Sequence, residues 1–339
     1  RHLAAVRTEA STSSDMEWLA WFVTGFITLA FWQWLTRIRE KVALPSGEEW
    51  HIEWLLWLGA MFLRGTSFLR NLVTPNSTLP LPPDTWQKDI VYLYIFPRKW
   101  TKQVVNLSPF AIKLETWLRL HHILYEVVET RKFSPRRRQI PYVWFNGAWL
   151  EDSEYIIQEL QRHYALEEDE GLDARQLAVS HAISRMIETN TSWTVFVHRY
   201  VFKSKEFSKI FQIGSCGTEK VIGKIVVRYF LQKGFAEAAV MVGIGRNSEE
   251  RVGQIGQADV KALSKQLGDQ KFLTGDRITY VDCCVFGQLC QVAFAQDMDY
   301  PHKRSLESDC DNVQQYLFRI RQALWPDWDK LCDATGTFW

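Results

Sequence analysis

No cysteine occurs among the first 215 residues of this 339-residue chain. The six that follow (Cys216, Cys283, Cys284, Cys290, Cys310 and Cys332) include no Cys-x-x-Cys pair. That excludes a disulfide scaffold and a cysteine zinc site, and it predicts reduced, mostly buried thiols. Net charge is nearly absent as well. Lys and Arg number 40 against 39 Asp and Glu, leaving +1, so nothing in the balance calls for a nucleic-acid partner. Internal repeats and low-complexity tracts are missing. The triplet Gly243-Ile244-Gly245 lacks a third glycine and a preceding strand, so no dinucleotide loop is expected. His121 and His122 sit at a helix end, and His181 and His198 have no acidic partner pattern, so no metal site is expected either.

What the chain has in abundance is tryptophan, with 16 residues of a type favoured at membrane interfaces and protein contacts. Trp18, Trp21, Trp32 and Trp34 cluster toward the ends of Trp18–Leu35, a stretch of 18 residues without charge. A helix of that length runs about 27 Å, close to a hydrocarbon core, so a transmembrane anchor helix is expected within an N-terminal segment 1–45. A helix buried in a soluble core is the alternative, disfavoured by the missing charged face. Arg37, Arg39 and Lys41 would leave its C-terminal side cytosolic or in the matrix. The chain opens on Arg1, and His2, Arg7, Ser11, Ser13 and Ser14 suit what remains after a presequence is cut. Membrane lipid is therefore an expected partner, and a membrane, mitochondrial in this reading, the expected location. Residues 46–87 add a shorter apolar run, Ile52–Leu63, suited to an interface or a neighbouring helix. The stretch TPNSTLPLPPDT at 74–85, with four prolines, reads as an extended linker.

From 88 to 166 the pattern is mixed. Asp89–Pro97 and Tyr125–Glu129 read as strands. Between them lies NLSPFAIKLETWLRL, in which Ser108 stands at an N-cap position and Pro109 in the first turn of an amphipathic helix. The plain reading is a capped helix. The sharper one is a hydroxyl and free N–H groups presented to an anion. A basic loop, Phe133–Gln139, precedes a hairpin: Ile140–Asn146, an Asn146-Gly147 turn and a return strand from Ala148. Asp152 and Ser153 then cap a helix to about Tyr164. The acidic break LEEDEGLD at 166–173 marks a boundary. Beyond it, 171–331 is helical, with periods over 173–200, 218–234, 248–267, 279–296 and 310–323, and 332–339 form a tail.

This β-α-β-loop-β-β-α module followed by an all-helical domain resembles the glutathione transferase fold: a thioredoxin-like α/β domain, then an all-α domain. Ser108-Pro109-Phe110 opens the first helix, where the family places the residue that meets the glutathione thiol. Ile140-Pro141 stands where that fold keeps a cis-proline. Glu151-Asp152-Ser153 stands where the family binds the γ-glutamyl group at a helix N-terminus. Thr279 and Asp282 match the structural capping box of the helical domain. The blocks SPFAIKLETWLRL, VGIGRNSEE, LGDQKFLTGDRITYVD and RQALWPDW are similar to the failed axon connections family. That branch includes cadmium-responsive nematode proteins, is related to metaxins, and tends to carry a hydrophobic segment ahead of the thioredoxin-like domain.

The resemblance implies Ser108 as the candidate catalytic residue and Pro141, Asp152 and Ser153 as a glutathione cleft. It implies no required cofactor and no metal, with glutathione as the ligand the cleft could take. Ala111 departs from related chains that carry Cys three residues after the serine, which excludes cysteine redox chemistry in this half. Two functions follow. One is a non-catalytic interaction or accessory subunit of a membrane complex, mitochondrial in this reading, with other subunits as partners. The alternative is a glutathione S-transferase of detoxification using Ser108.

Overall fold

The computed structural model describes residues 82–100, 103–167, 171–210, 231–295 and 298–332, all within one compact unit, Leu79–Ile213 with Gly223–Trp339. The expected anchor over 18–35, the apolar run over 52–63, most of the linker, most of the helical period 218–234 and most of the tail lie outside the described residues. Among the described residues no helix is long and apolar enough to cross a membrane.

Strand β1 (Val91–Ile95) is buried along its whole length. An unbroken apolar and aromatic run fits a strand covered on both faces. It is shorter than the apolar run because Asp89 takes φ 64 and bonds Asn146 across the sheet. Helix α1 (Pro109–Leu120) follows, then β2 (Tyr125–Glu129), parallel to β1. Strands β3 (Tyr142–Phe145) and β4 (Ala148–Glu151) form an antiparallel hairpin, and the sheet order is β2-β1-β3-β4. Its turn needs positive φ at both central residues, which Asn146 (46°) and Gly147 (87°) supply. Helix α2 (Ser153–Tyr164) closes the module.

One sheet face, Val91, Leu93 and Ile95, packs on Ala111, Leu114, Ile156 and Leu160 of α1 and α2. The other face is aromatic: Tyr94 stacks on Tyr142 at 4.8 Å between centroids, and Trp149 meets both edgewise or tilted. Such pairs add about 0.5–1.5 kcal/mol beyond their buried area.

Beyond α2 the described residues are mainly helical, as the periodicity over 173–200, 248–267, 279–296 and 310–323 predicts. Helix α3 (Ala174–Arg185) begins with a reciprocal Asp173–Gln176 capping box. The expected helical period over 173–200 is helical from Ala174 on, but not regular. Wide π-helical turns at Met186–Thr191 and His198–Phe202 flank α4 (Ser192–Val197). Hydroxyls reach five residues back there, Thr191 Oγ1 to Met186 O and Ser192 Oγ to Ile187 O. Such back-bonding competes with regular helix bonds. Then come α5 (Ser204–Ile210), α6 (Gln232–Met241), α7 (Glu249–Leu267), α8 (Tyr280–Ala293), α9 (Pro301–Ser308), α10 (Asp311–Leu324) and α11 (Trp328–Cys332).

Helix α8 is buried from Val281 to Val292 and lies against α1. Gly287 makes that approach possible, since a Cβ there would stand 2.7 Å from Pro109 O and 2.8 Å from Lys113 N. Asp282 starts α8 by accepting from Thr279 N and Oγ1, Leu273 N and Tyr316 Oη, all within 3.1 Å. This is the expected box, and its role is structural.

Candidate functional site

Four sequence-predicted residues converge on one end of the sheet. The Ile140–Pro141 peptide is cis. Ser108 Oγ donates to Ile140 O at 3.2 Å, which puts the first residue of the site beside the proline. Tyr142 pairs with Glu151 in the hairpin register, so Pro141 and Asp152 are neighbours at the same strand ends. Ser153, buried, begins α2 beside them.

The geometry gives each residue a job. Ser108 is buried, and its oxygen also accepts from Ala111 N at 3.3 Å, as an N-cap does. A serine hydroxyl has one proton, and here the Ile140 carbonyl takes it. The proton a bound thiolate would need is thus engaged. Asn106, which the sequence reading did not single out, sets this loop. Its Oδ1 accepts from Ser108 N at 3.0 Å and its Nδ2 donates to Phe96 O at 2.7 Å. Its own carbonyl accepts from Gln291 Nε2 of α8 at 2.8 Å, and Gln291 Oε1 accepts from the buried Arg199 at 3.0 Å. A polar residue two places before a Ser-Pro cap is the only local signal for Asn106.

Asp152 takes φ 79, a left-handed backbone that a non-glycine residue holds at a cost of about 1–3 kcal/mol. Its carboxylate accepts from Glu154 N at 3.0 Å and from the Arg137 guanidinium at 3.0 Å. Glu151, which the resemblance placed with Asp152 and Ser153, is instead buried and accepts from Arg136 N at 3.0 Å and Arg137 N at 2.6 Å, which folds the basic loop onto the hairpin. Pro141 has no N–H and offers only its carbonyl.

Among the described residues no base is hydrogen-bonded to Ser108 Oγ. Lys113, one turn further along α1, is fully buried and donates to Glu188 Oε1 at 2.6 Å. Burial works against its charge, but the Glu188 carboxylate, through its charge and its hydrogen bond, holds the amine above the usual range. Arg185 continues the network, bonding Glu154 of α2 at 2.9 Å and lying 3.5 Å from Glu188. On the far side of α1, Glu115 is buried between Arg98 (2.7 Å) and Arg119 (3.3 Å), and Arg119 reaches Asp327 at 2.6 Å. Of these, Lys113–Glu188, Arg185–Glu154 and Arg119–Asp327 join the two halves. The thiols of Cys283, Cys284, Cys290 and Cys310 are buried and that of Cys332 is half-buried, none of them in a disulfide, and burial pushes those of Cys284 and Cys290 up, so these two are poor nucleophiles. Cys216 lies outside the described residues.

Tested against glutathione, the residues fit one end of the ligand. The N-terminus of α2, with Ser153 in its first turn, suits a carboxylate. The thiol end finds a serine whose proton is engaged. A surface hollow lined by Gln158, Gln161, Arg162 and Glu167 lies toward the other end of α2, away from these residues.

Comparison with known proteins agrees with this architecture. A family model of the glutathione S-transferase N-terminal domain matches residues 109–206, and one of the C-terminal domain matches 256–320. Failed axon connections of Drosophila melanogaster is 32% identical over 256 residues, 73% of this chain and 61% of that protein. The chain thus spans less than two thirds of that relative's length. Isoprene-epoxide–glutathione S-transferase of Rhodococcus sp. (strain AD45) is 26% identical over 231 residues, 65% of this chain and 93% of the enzyme. Among solved structures, a Ceriporiopsis subvermispora glutathione S-transferase in complex with glutathione aligns with TM-score 0.48 and 15% identity, covering 71% of this chain and 99% of that one. The chain belongs to the glutathione S-transferase-like superfamily and within it is similar to failed axon connections.

Proposed function

We propose that this protein uses a glutathione-transferase fold as a non-catalytic interaction module. In this reading it is an accessory subunit of a mitochondrial membrane complex, tethered by Trp18–Leu35, with lipid and other subunits as partners. One observation carries it: the Ser108 hydroxyl caps α1 and donates its proton to Ile140 O. A residue that stabilises a thiolate must aim its proton at the thiol. Here the same atom is built into the scaffold. The buried ion pairs between the halves support a rigid platform. The test is carbonate extraction of native membranes followed by native sizing in mild detergent. The reading expects the chain in the pellet and in a particle well above monomer size. Extraction into the supernatant contradicts the tether, and a monomer contradicts the complex.

A second reading, a glutathione S-transferase using Ser108, is favoured by the Rhodococcus enzyme, whose match covers 93% of its length. It is also favoured by the cis-proline beside Asp152 and Ser153. It requires Ser108 to exchange Ile140 O for a ligand thiol.

A further inference from the structure

We propose that the basic turn between β2 and β3 is a docking surface for anionic lipid headgroups. The turn carries Arg131, Phe133, Arg136 and Arg138, all exposed, with Phe133 48% exposed. Among the described residues, Arg136 and Arg138 have no carboxylate partner.

A run of arginines is ordinarily a solvated loop, but this one is held in shape. Ser134 and Gln139 close it with two bonds of 3.1 and 3.0 Å. Glu151 accepts the amides of Arg136 and Arg137. Tyr142 Oη donates to Lys132 O at 3.1 Å, and Arg138 is fixed at φ 56. The nearby carboxylate of Glu151 is therefore turned inward onto backbone, and Asp152 takes Arg137. Glu129 on β2 accepts from Arg98 N. The guanidinium groups of 136 and 138 are left facing outward.

The turn also borders the aromatic sheet face. Phe133 packs edgewise on Phe96, Arg131 lies over Trp100, and Trp86, 42% exposed, meets Trp144 along the same face. Arginine beside exposed aromatic rings is the chemistry of a membrane interface, where rings sit at headgroup depth and cations meet anionic lipid. The net charge of +1 over the whole chain makes this a local feature rather than a general affinity for polyanions. The proposal deepens the membrane reading and rests on it for proximity to lipid. It adds the lipid class and the residues.

The test uses the full chain in lipid nanodiscs, neutral or with 30% phosphatidylserine, with a genetically encoded fluorescent side chain replacing the exposed Gln139. Nitroxide on the headgroups reports docking by quenching. We expect quenching in anionic discs only, lost at high salt. Each of Arg131→Gln, Arg136→Gln and Arg138→Gln should lower docking about five-fold. Arg136 bonds Glu151 through its amide, so its substitution leaves the turn closed. Equal quenching in neutral and anionic discs, or none, overturns the proposal. Docking on a polyglutamate peptide but not on anionic discs assigns the turn to a protein partner and overturns it too. A chain that leaves the discs in carbonate contradicts the tether instead. Flotation with the same lipids then reads the turn, and equal flotation on neutral and anionic membranes overturns it.

Discussion

Gly287→Ala should loosen the joint between the two halves. The added methyl would stand 2.7 Å from Pro109 O and 2.8 Å from Lys113 N. Carbon wants about 3.5 Å or more to such atoms, so α1 and α8 must part by several tenths of an ångström. Both obstructing atoms are backbone and cannot swing away. Overpacking of this kind costs about 1–3 kcal/mol, and here the upper end applies. Against that, alanine in a helix gains about 1 kcal/mol over glycine. The net expectation is a loss of about 2 kcal/mol. Gly234→Ala is the matched control. It sits exposed in α6 with nothing within 4 Å of its added Cβ, so propensity alone acts and the chain gains up to about 1 kcal/mol. Urea unfolding of the full chain in mild detergent, followed by tryptophan fluorescence, reads both midpoints. If Gly287→Ala proves as stable as Gly234→Ala, the close approach of α1 and α8 is wrong.

Other perturbations test other parts. Ser108→Ala removes the cap and the bond to Ile140, and should lower stability by about 1 kcal/mol in thermal unfolding; no change would deny the cap. Lys113→Met leaves the buried Glu188 with only Arg185, 3.5 Å away, and should cost about 3 kcal/mol, while Lys113→Met with Glu188→Leu should recover most of it. A double variant as unstable as the single one would deny the pair. Burial lowers the His302 pKa to about 3 from an unperturbed 6.5. The unfolded chain therefore takes up a proton that the folded one refuses. Stability should fall as pH drops below 6.5, by at most about 1.4 kcal/mol per unit, until pH nears 3. Denaturant midpoints across pH 4–8 should show this slope reduced in His302→Gln, and an unchanged slope would exclude the histidine.

Local signals made much of the thioredoxin-like half legible. Ser108-Pro109 marks the start of α1, Asn146-Gly147 the hairpin, and Asp152-Ser153 the start of α2, each through bonds a few residues long. The Thr279–Asp282 box was legible for the same reason. Helix α9 was not, because only His302, Ser305 and Leu306 of its eight residues are buried, too few for a clear period. The π-helical turns escaped because a hydroxyl bond to a carbonyl five residues back leaves no mark in the apolar spacing. At the candidate site the resemblance identified Ser108, Pro141, Asp152 and Ser153. It did not reveal where the Ser108 proton points, since Ile140 is 32 residues away in sequence. The support for Asn106 was hidden further, with Gln291 185 residues away.

The most direct test is glutathione conjugation by the full chain with a generic electrophile, beside Ser108→Ala. A hydroxyl whose proton rests on Ile140 O predicts no turnover above background in either protein. Turnover well above background in the native chain, lost in Ser108→Ala while that variant remains folded, would contradict the account and make this protein a transferase.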